Sequence, residues 1–354
     1  MQKWKENIRA IEPYVPGEQP QNKDVIKLNT NESPYRPSPA IDKAIADYNK
    51  SDLRLYPSFV CSDLKSALME NYPVKENEIF LGNGSDEVLA LCFMTFFNSQ
   101  KPVLFPDITY SFYDVWCSLY NIPYKKIPLD DNFRIVKEDY NIENGGIVIA
   151  NPNAPTSIYM ELDAIENIIK NNRDSIVIID EAYIDFGGKS AVSLIHKYDN
   201  LAVVQTYSKS RALAGIRVGY AMANSELINA LEAVKNSFNS YTLNSLSQVI
   251  AAASARDKNY FNECVKNIID TRKWTVNELS KLGFKTLPSK ANFIFTTNPE
   301  ISAEKLFNFL KSKNIFVRYF SKPRISEYLR ITIGTPEQME ALVKSIQEIC
   351  KWKN

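Results

Sequence analysis

Short apolar runs alternate with amphipathic stretches through the first two thirds of the chain. The runs are Ile79-Phe80-Leu81-Gly82, Val103-Leu104-Phe105, Ile147-Val148-Ile149-Ala150, Ile176-Val177-Ile178-Ile179-Asp180, Leu201-Ala202-Val203-Val204-Gln205 and Ile216-Arg217-Val218-Gly219-Tyr220. Continuous apolar runs of this length, bounded by helical patterns, predict strands buried on both faces, as in a mostly parallel sheet. The expected core is a doubly wound α/β sheet over about residues 50–235.

Outside that core the pattern changes. The first thirty-odd residues are rich in Pro and Asn and read as an irregular arm. Residues 230–282 are rich in helix formers, with a break near 240–244. Residues 292–297, 315–318 and 328–333 then look like strands, and 302–311 and 336–352 like helices. Strands and helices mixed this way predict a small α+β domain. The expected organisation is an arm and part of the small domain (1–49), a large α/β domain (50–235), connecting helices (236–285) and the small α+β domain (286–354).

Composition narrows the function classes. Lys plus Arg (42) nearly balances Asp plus Glu (41) in 354 residues, so no strong field favours nucleic acid or an anionic membrane as a partner. No apolar run approaches the roughly 18 residues a membrane span needs, and the first residues lack the apolar stretch of a signal peptide. The five cysteines, Cys61, Cys92, Cys117, Cys264 and Cys350, are scattered without a CxxC pair. That pattern predicts reduced thiols and a cytoplasmic chain. A single histidine, His196, rules out a multi-histidine metal site. It lies in a helix-like surface stretch and reads as structural.

Four segments sit where predicted strands end, the place where open α/β sheets bind ligands. Gly82-Asn83-Gly84-Ser85-Asp86-Glu87 allows a tight turn, and Ser85 is a good cap for a helix whose first amides suit a phosphate. A plain capped helix is the alternative reading. Asp180-Glu181-Ala182-Tyr183 closes an apolar run with a carboxylate, which is costly in a buried place unless something pairs it. An exposed loop acid is the alternative. In the stretch from Thr206 to Arg217, Lys209 stands among small and hydroxylated residues, with Arg211 and Arg217 nearby. It reads either as an activated amine or as a solvated lysine. Asn151-Pro152-Asn153-Ala154-Pro155-Thr156-Ser157 is a fixed turn with projecting amides, structural or functional.

With Asn29-Thr30-Asn31-Glu32-Ser33-Pro34-Tyr35, Leu55-Tyr56-Pro57, Thr109-Tyr110, Ala291-Asn292-Phe293 and Leu329-Arg330-Ile331-Thr332-Ile333-Gly334, these segments form an ordered set. It resembles the fold-type I, pyridoxal phosphate-dependent aminotransferases, and within them the histidinol-phosphate aminotransferase branch. The resemblance implies that Lys209 holds pyridoxal 5′-phosphate as a Schiff base and later shuttles a proton between the substrate carbon and C4′. It implies that Asp180 keeps the pyridine nitrogen protonated, that Tyr183 bonds the ring O3′ and that Tyr110 stacks on the ring. Gly84, Ser85, Asp86, Ser208 and Arg217 would hold the phosphate. Tyr56 would reach the phosphate of a neighbouring subunit, giving a homodimer with shared active sites. Arg330 would clamp the anionic end of the substrate, with Arg318 and Tyr14 in the same pocket.

The implied reaction is transamination between L-histidinol phosphate and 2-oxoglutarate, giving imidazole acetol phosphate and glutamate, a step of histidine biosynthesis. Aromatic amino acid aminotransferase and threonine-phosphate decarboxylase are the alternatives on the same fold. A regulator with an aminotransferase-like sensor would need a separate basic DNA-binding domain, for which the motifs leave no room. A dehydrogenase is disfavoured by the glycine spacing at residues 82–85. One departure from the family stands out. Its turn commonly reads Asn-Asn-Pro-Thr-Gly, with the second asparagine on O3′; here Ala154 and Ser157 occupy the asparagine and glycine positions. Either Asn153 supplies the amide or Tyr183 holds O3′ without it.

Overall fold

A computed structural model describes residues 3–20 and 24–351. Its centre is a seven-stranded sheet built from Ile79–Gly82 (β1), Val103–Pro106 (β2), Tyr124–Ile127 (β3), Gly146–Ala150 (β4), Val177–Asp180 (β5), Leu201–Thr206 (β6) and Gly219–Ala223 (β7). The spatial order is β1-β7-β6-β5-β4-β2-β3. Pairings among β2 to β6 are parallel, and only β7 runs against its neighbours β6 and β1. The predicted doubly wound α/β sheet is therefore present.

Burial explains why these runs are strands. Ile147, Ile149, Val177, Ile179, Leu201 and Val203 enter one apolar cluster, whereas Val148, Ile178, Ala202 and Val204 enter another. Alternate residues face opposite sides of the sheet, and helices cover both sides, so apolar side chains dominate both faces.

Two details differ from the sequence pattern. β3, Tyr-Lys-Lys-Ile, lies at the sheet edge with three exposed residues, and its lysines hid it from a search for apolar runs while guarding the edge. The last strand begins at Gly219, three residues later than expected. Ala214–Ile216 is instead a 3-10 turn, and Arg217 adopts a left-handed conformation at φ 54°.

A second, four-stranded antiparallel sheet orders Arg318–Tyr319, Leu329–Thr332, Phe293–Thr297 and Lys285–Thr286. Its apolar face packs with the helices Lys258–Lys281, Ala303–Ser312 and Pro336–Lys351 around Ile294, Leu306, Ile331, Leu342 and Ile346. Ile26–Lys27 pairs in parallel with Ile315–Phe316, and Thr332 N donates to Leu28 O, tying the early chain to this sheet.

Register sets up the site. Gly82 pairs with Gly219, Gly219 with Thr206, Asp180 with Val204, and Ala150 with Asp180. The chain segments leaving β1, β4, β5 and β6 thus emerge at one edge of the sheet. Because β7 is reversed, the residues that precede it, Arg217 included, arrive at that same edge. No helix among the described residues is long and apolar enough to cross a membrane.

Candidate active site

At that edge lies a cavity of about 280 Å³. Of the residues singled out from the sequence, Tyr14, Ser85, Asp86, Tyr110, Asp180, Tyr183, Ser208, Lys209, Arg217, Arg318 and Arg330 line it. They come from positions 14 to 330 of the chain.

The floor begins with Asp180, the last residue of β5, 5% exposed. Its carboxylate accepts from Tyr113 Oη at 2.8 Å and from Ala182 N at 3.2 Å. Burial outweighs these bonds and pushes its pKa up to about 6, with the charge of Asp86 adding to the rise. No cation lies within ion-pair distance of it among the described residues. Lys209, in the loop after β6, is the only lysine among the described residues that lines the cavity, and its Nζ donates to Thr30 O at 3.3 Å.

Beside the floor, the helix Ser85–Phe96 points its N-terminus at the cavity, with Gly84 before it at φ 87°. A side chain at Gly84 would collide with the Arg217 guanidinium, and one at Gly219 with the Ser85 amide. Both glycines let a cation and a helix start approach one place. Arg217 reaches Ser208 Oγ at 3.5 Å and Asp86 Oδ2 at 3.5 Å, while Tyr110 Oη donates to Asp86 Oδ1 at 2.8 Å. Burial and the Asp86 charge hold the Tyr110 phenol well above its ordinary pKa, so it stays a donor.

The opposite wall is cationic. Arg318 and Arg330 face each other as cross-strand partners, and like charges so placed repel. Neither makes an ion pair with a carboxylate among the described residues. Arg330 gives NH2 to Asn29 O at 2.9 Å, whereas its buried Nε has no partner among the described residues. Both guanidiniums lie over the Phe320 ring, at 5.4 and 5.6 Å. Tyr14 stacks on Phe112 nearby, with centroids 4.3 Å apart.

Three expected residues are not among those lining the cavity. Gly84 acts through the turn just described. Asn153 is buried in the loop instead, donating to Ile108 O and Thr156 Oγ1 and accepting from Thr109 Oγ1. Its amide holds the turn together, and the cavity edge there is the methyl of Ala154. Tyr56 is 81% exposed and stacks on Tyr241, centroids 4.7 Å apart. His196 pairs with Glu78 at 3.0 Å, away from the cavity.

Sequence reasoning missed Tyr113, which holds the Asp180 carboxylate, and gave no role to Asn31, which lines the cavity and donates to Tyr183 Oη at 3.0 Å. A tyrosine three positions after Tyr110, opening the helix Tyr113–Tyr120, was the available hint for the first.

Comparison with known proteins gives the family and the fold. The family model described as aminotransferase class I and II matches residues 23–346. The histidinol-phosphate aminotransferase of Lactococcus lactis subsp. cremoris is 53% identical over 350 residues, covering 99% of this chain and 98% of its own. That of Clostridium botulinum type F is 52% identical over 346 residues, covering 98% of both. Among solved structures, histidinol-phosphate aminotransferase from Sinorhizobium meliloti, in complex with pyridoxal-5′-phosphate, superposes with a TM-score of 0.84 at 21% identity. That match covers 93% of this chain and 92% of the other, and it speaks to the fold.

Proposed function

The chain belongs to the class I and II aminotransferases, and we infer that it transfers the amino group of L-histidinol phosphate to 2-oxoglutarate, giving imidazole acetol phosphate and glutamate. The observation that carries this reading is the pair Arg318 and Arg330, placed side by side without a carboxylate partner among the described residues. A phosphate ester calls for two cations, and planar guanidiniums bind it in forked fashion while still accepting the carboxylate of the second substrate. Relatives at 52–53% identity over nearly the whole chain bear the name of that activity.

The residues fit pyridoxal 5′-phosphate. Asp180 is a buried carboxylate whose raised pKa marks a missing positive partner, and a protonated ring nitrogen is such a partner. Ser85, Ser208 and Arg217 converge on one spot with a helix N-terminus behind it, suited to the phosphate. When bound, the cofactor supplies an aldehyde that takes up amino groups and a cationic ring that accepts the electron pair left on the substrate carbon. Lys209 Nζ moves the proton at that carbon. Asp180 keeps the ring nitrogen charged, Tyr183 donates to the ring oxygen, and Arg330 with Arg318 and Tyr14 orients the substrate's anionic end.

The active form, on the same reading, is a homodimer. Leu53, Leu55, Tyr56, Phe59 and Val60 are all exposed together with Tyr241, an apolar patch of the kind that marks an interface. Tyr56 would then complete the neighbour's phosphate site. Five cysteines held as reduced thiols suit the reducing cytoplasm.

The test is a half-reaction screen of the purified yellow enzyme. Histidinol phosphate should discharge the visible band far faster than phenylalanine, tyrosine or threonine phosphate, and borohydride should leave a pyridoxyl group on Lys209. Preference for an aromatic amino acid, carbon dioxide from threonine phosphate, or label on another lysine would each overturn part of this reading.

A further inference from the structure

The turn at residues 151–157 leaves the cavity edge beside Tyr183 with no side-chain amide, since Ala154 contributes a methyl in apolar contact with Ala291, Phe293 and Tyr183. Asn31 sits on the other side of the Tyr183 hydroxyl, 1% exposed and left-handed at φ 57°. Asparagine is among the few non-glycine residues that enter that region readily. Its surroundings fix every polar atom. Its N–H donates to Thr332 Oγ1 at 3.0 Å, Thr332 Oγ1 donates to Asn31 Oδ1 at 3.0 Å, and Asn292 Nδ2 donates to Asn31 O at 3.0 Å.

These bonds assign the amide. In this arrangement the Thr332 hydroxyl accepts the Asn31 N–H and gives its single hydrogen to Oδ1, which places Nδ2 against Tyr183 Oη at 3.0 Å. An amide nitrogen cannot accept. The Tyr183 hydrogen is therefore turned away from Asn31, on an oxygen that already receives one donor.

We propose that Asn31 is a positioning residue: its side-chain amide, locked by Thr332, aims the Tyr183 hydroxyl so that its hydrogen is donated into the cavity, to the ring oxygen of the cofactor. This rests on the reading that pyridoxal phosphate occupies the cavity. The amide that the turn lacks at Ala154 is thereby replaced from a different part of the chain, indirectly, through the tyrosine.

The experiment reads the pH midpoint of the colour change of the loaded, substrate-free enzyme. A donor on the ring oxygen draws charge from it; without that donor the oxygen holds the neighbouring proton more tightly and the midpoint rises. Tyr183→Phe should raise it by about one to two units, the worth of a hydrogen bond to a charged group. Asn31→Ala should raise it by roughly half as much and lower kcat more than it changes KM. In the Tyr183→Phe background Asn31→Ala should add nothing, because its effect runs through that hydroxyl. Ala154→Asn should restore the midpoint of Asn31→Ala by supplying a donor at the same edge.

An unmoved midpoint in Asn31→Ala, or an equal further shift in the Tyr183→Phe background, overturns the proposal while Lys209 still takes the pyridoxyl label. Absence of that label from the wild type overturns the cofactor reading and this proposal with it. If Asn31→Ala does not fold, Thr332→Val, which removes the hydroxyl and keeps the shape, must raise the midpoint in the same direction.

Discussion

The two ends of the cavity are built with opposite electrostatic faults. At the sheet end, Asp180 is a buried carboxylate with only neutral donors, Tyr113 and the Ala182 amide, to hold it. At the wall formed by the small sheet, Arg318 and Arg330 are cross-strand neighbours of like charge. A protein selected for stability alone would pair such groups or replace them with apolar side chains. Each end is instead suited to a ligand group of the other sign: a cationic ring nitrogen at one, an anionic substrate terminus at the other. Uncompensated charge of this kind is what a binding site for a ligand of the opposite sign requires.

The sharpest way to break this comparison is at the sheet end. Asp180→Ala should leave the cofactor able to bind Lys209 yet lower turnover by a factor on the order of a hundred to a thousand or more, since it removes the group that stabilises developing charge. Near-normal turnover in steady-state assays would mean the carboxylate does not face the ring nitrogen. At the other end, Arg330→Ala should cost about 2–5 kcal/mol in kcat/KM, as expected when a buried partner of a charge is lost. A loss confined to kcat would mean that Arg330 does not bind the substrate's charged end in the ground state.

How much of this contrast the sequence reveals depends on distance along the chain. Asp180, Lys209 and Ser85 each follow an apolar run closely, so their place at a sheet edge could be read from the pattern. Arg217 could be placed only through its motif, because nothing in an apolar run tells that β7 is reversed and brings its leading residues to that edge. Asn31 and Thr332 meet across 301 residues, and no spacing rule reaches that far. The role of Asn153 stayed open between two alternatives for a related reason. The turn that projects amides also consumes them, and which ones are consumed depends on Ile108 and Thr109, supplied by another loop. The pairing of Arg318 with Arg330 depends on register in the small sheet, although both arginines were candidates beforehand.

The sheet-end cost is measurable without any reaction. In the cofactor-free protein Asp180 holds its proton up to about pH 6, against an ordinary value of 3.8. Between those values the native state binds more protons than the unfolded chain, so stability falls as pH rises through that window. Asp180→Asn is neutral throughout: its one oxygen can still accept from the Ala182 amide, and its NH2 takes the place of the oxygen that Tyr113 Oη donates to, so that hydroxyl turns to accept. Its stability advantage over the wild type should grow from pH 4 to pH 6 and level off near 3 kcal/mol, an order-of-magnitude figure from a shift of about two units. Urea unfolding of both cofactor-free proteins at several pH values measures it. A constant difference across that range would show that the carboxylate is not strained by burial.

The smallest expected effect is the most discriminating. Arg318 is only half-buried, and its guanidinium rests against Phe320 and beside Gly17 of the arm, so Arg318→Ala should cost less than Arg330→Ala, roughly 1 kcal/mol. What matters is how that loss divides between the two substrates. If both guanidiniums grip a phosphate ester, removing one takes away a cation from a group near two negative charges, and kcat/KM for histidinol phosphate should fall more than that for 2-oxoglutarate, whose carboxylate Arg330 can hold by its own fork. If Arg318 serves only to repel its neighbour into place, both substrates should lose alike. Arg318→Lys sharpens the reading, because it keeps the charge and loses the fork. Recovery for histidinol phosphate in that variant would mean that charge governs the preference, and continued loss would mean that bidentate geometry does. Equal losses for the two substrates in both variants would reduce the cationic wall to the single residue Arg330 and remove the observation on which the choice of a phosphorylated donor rests.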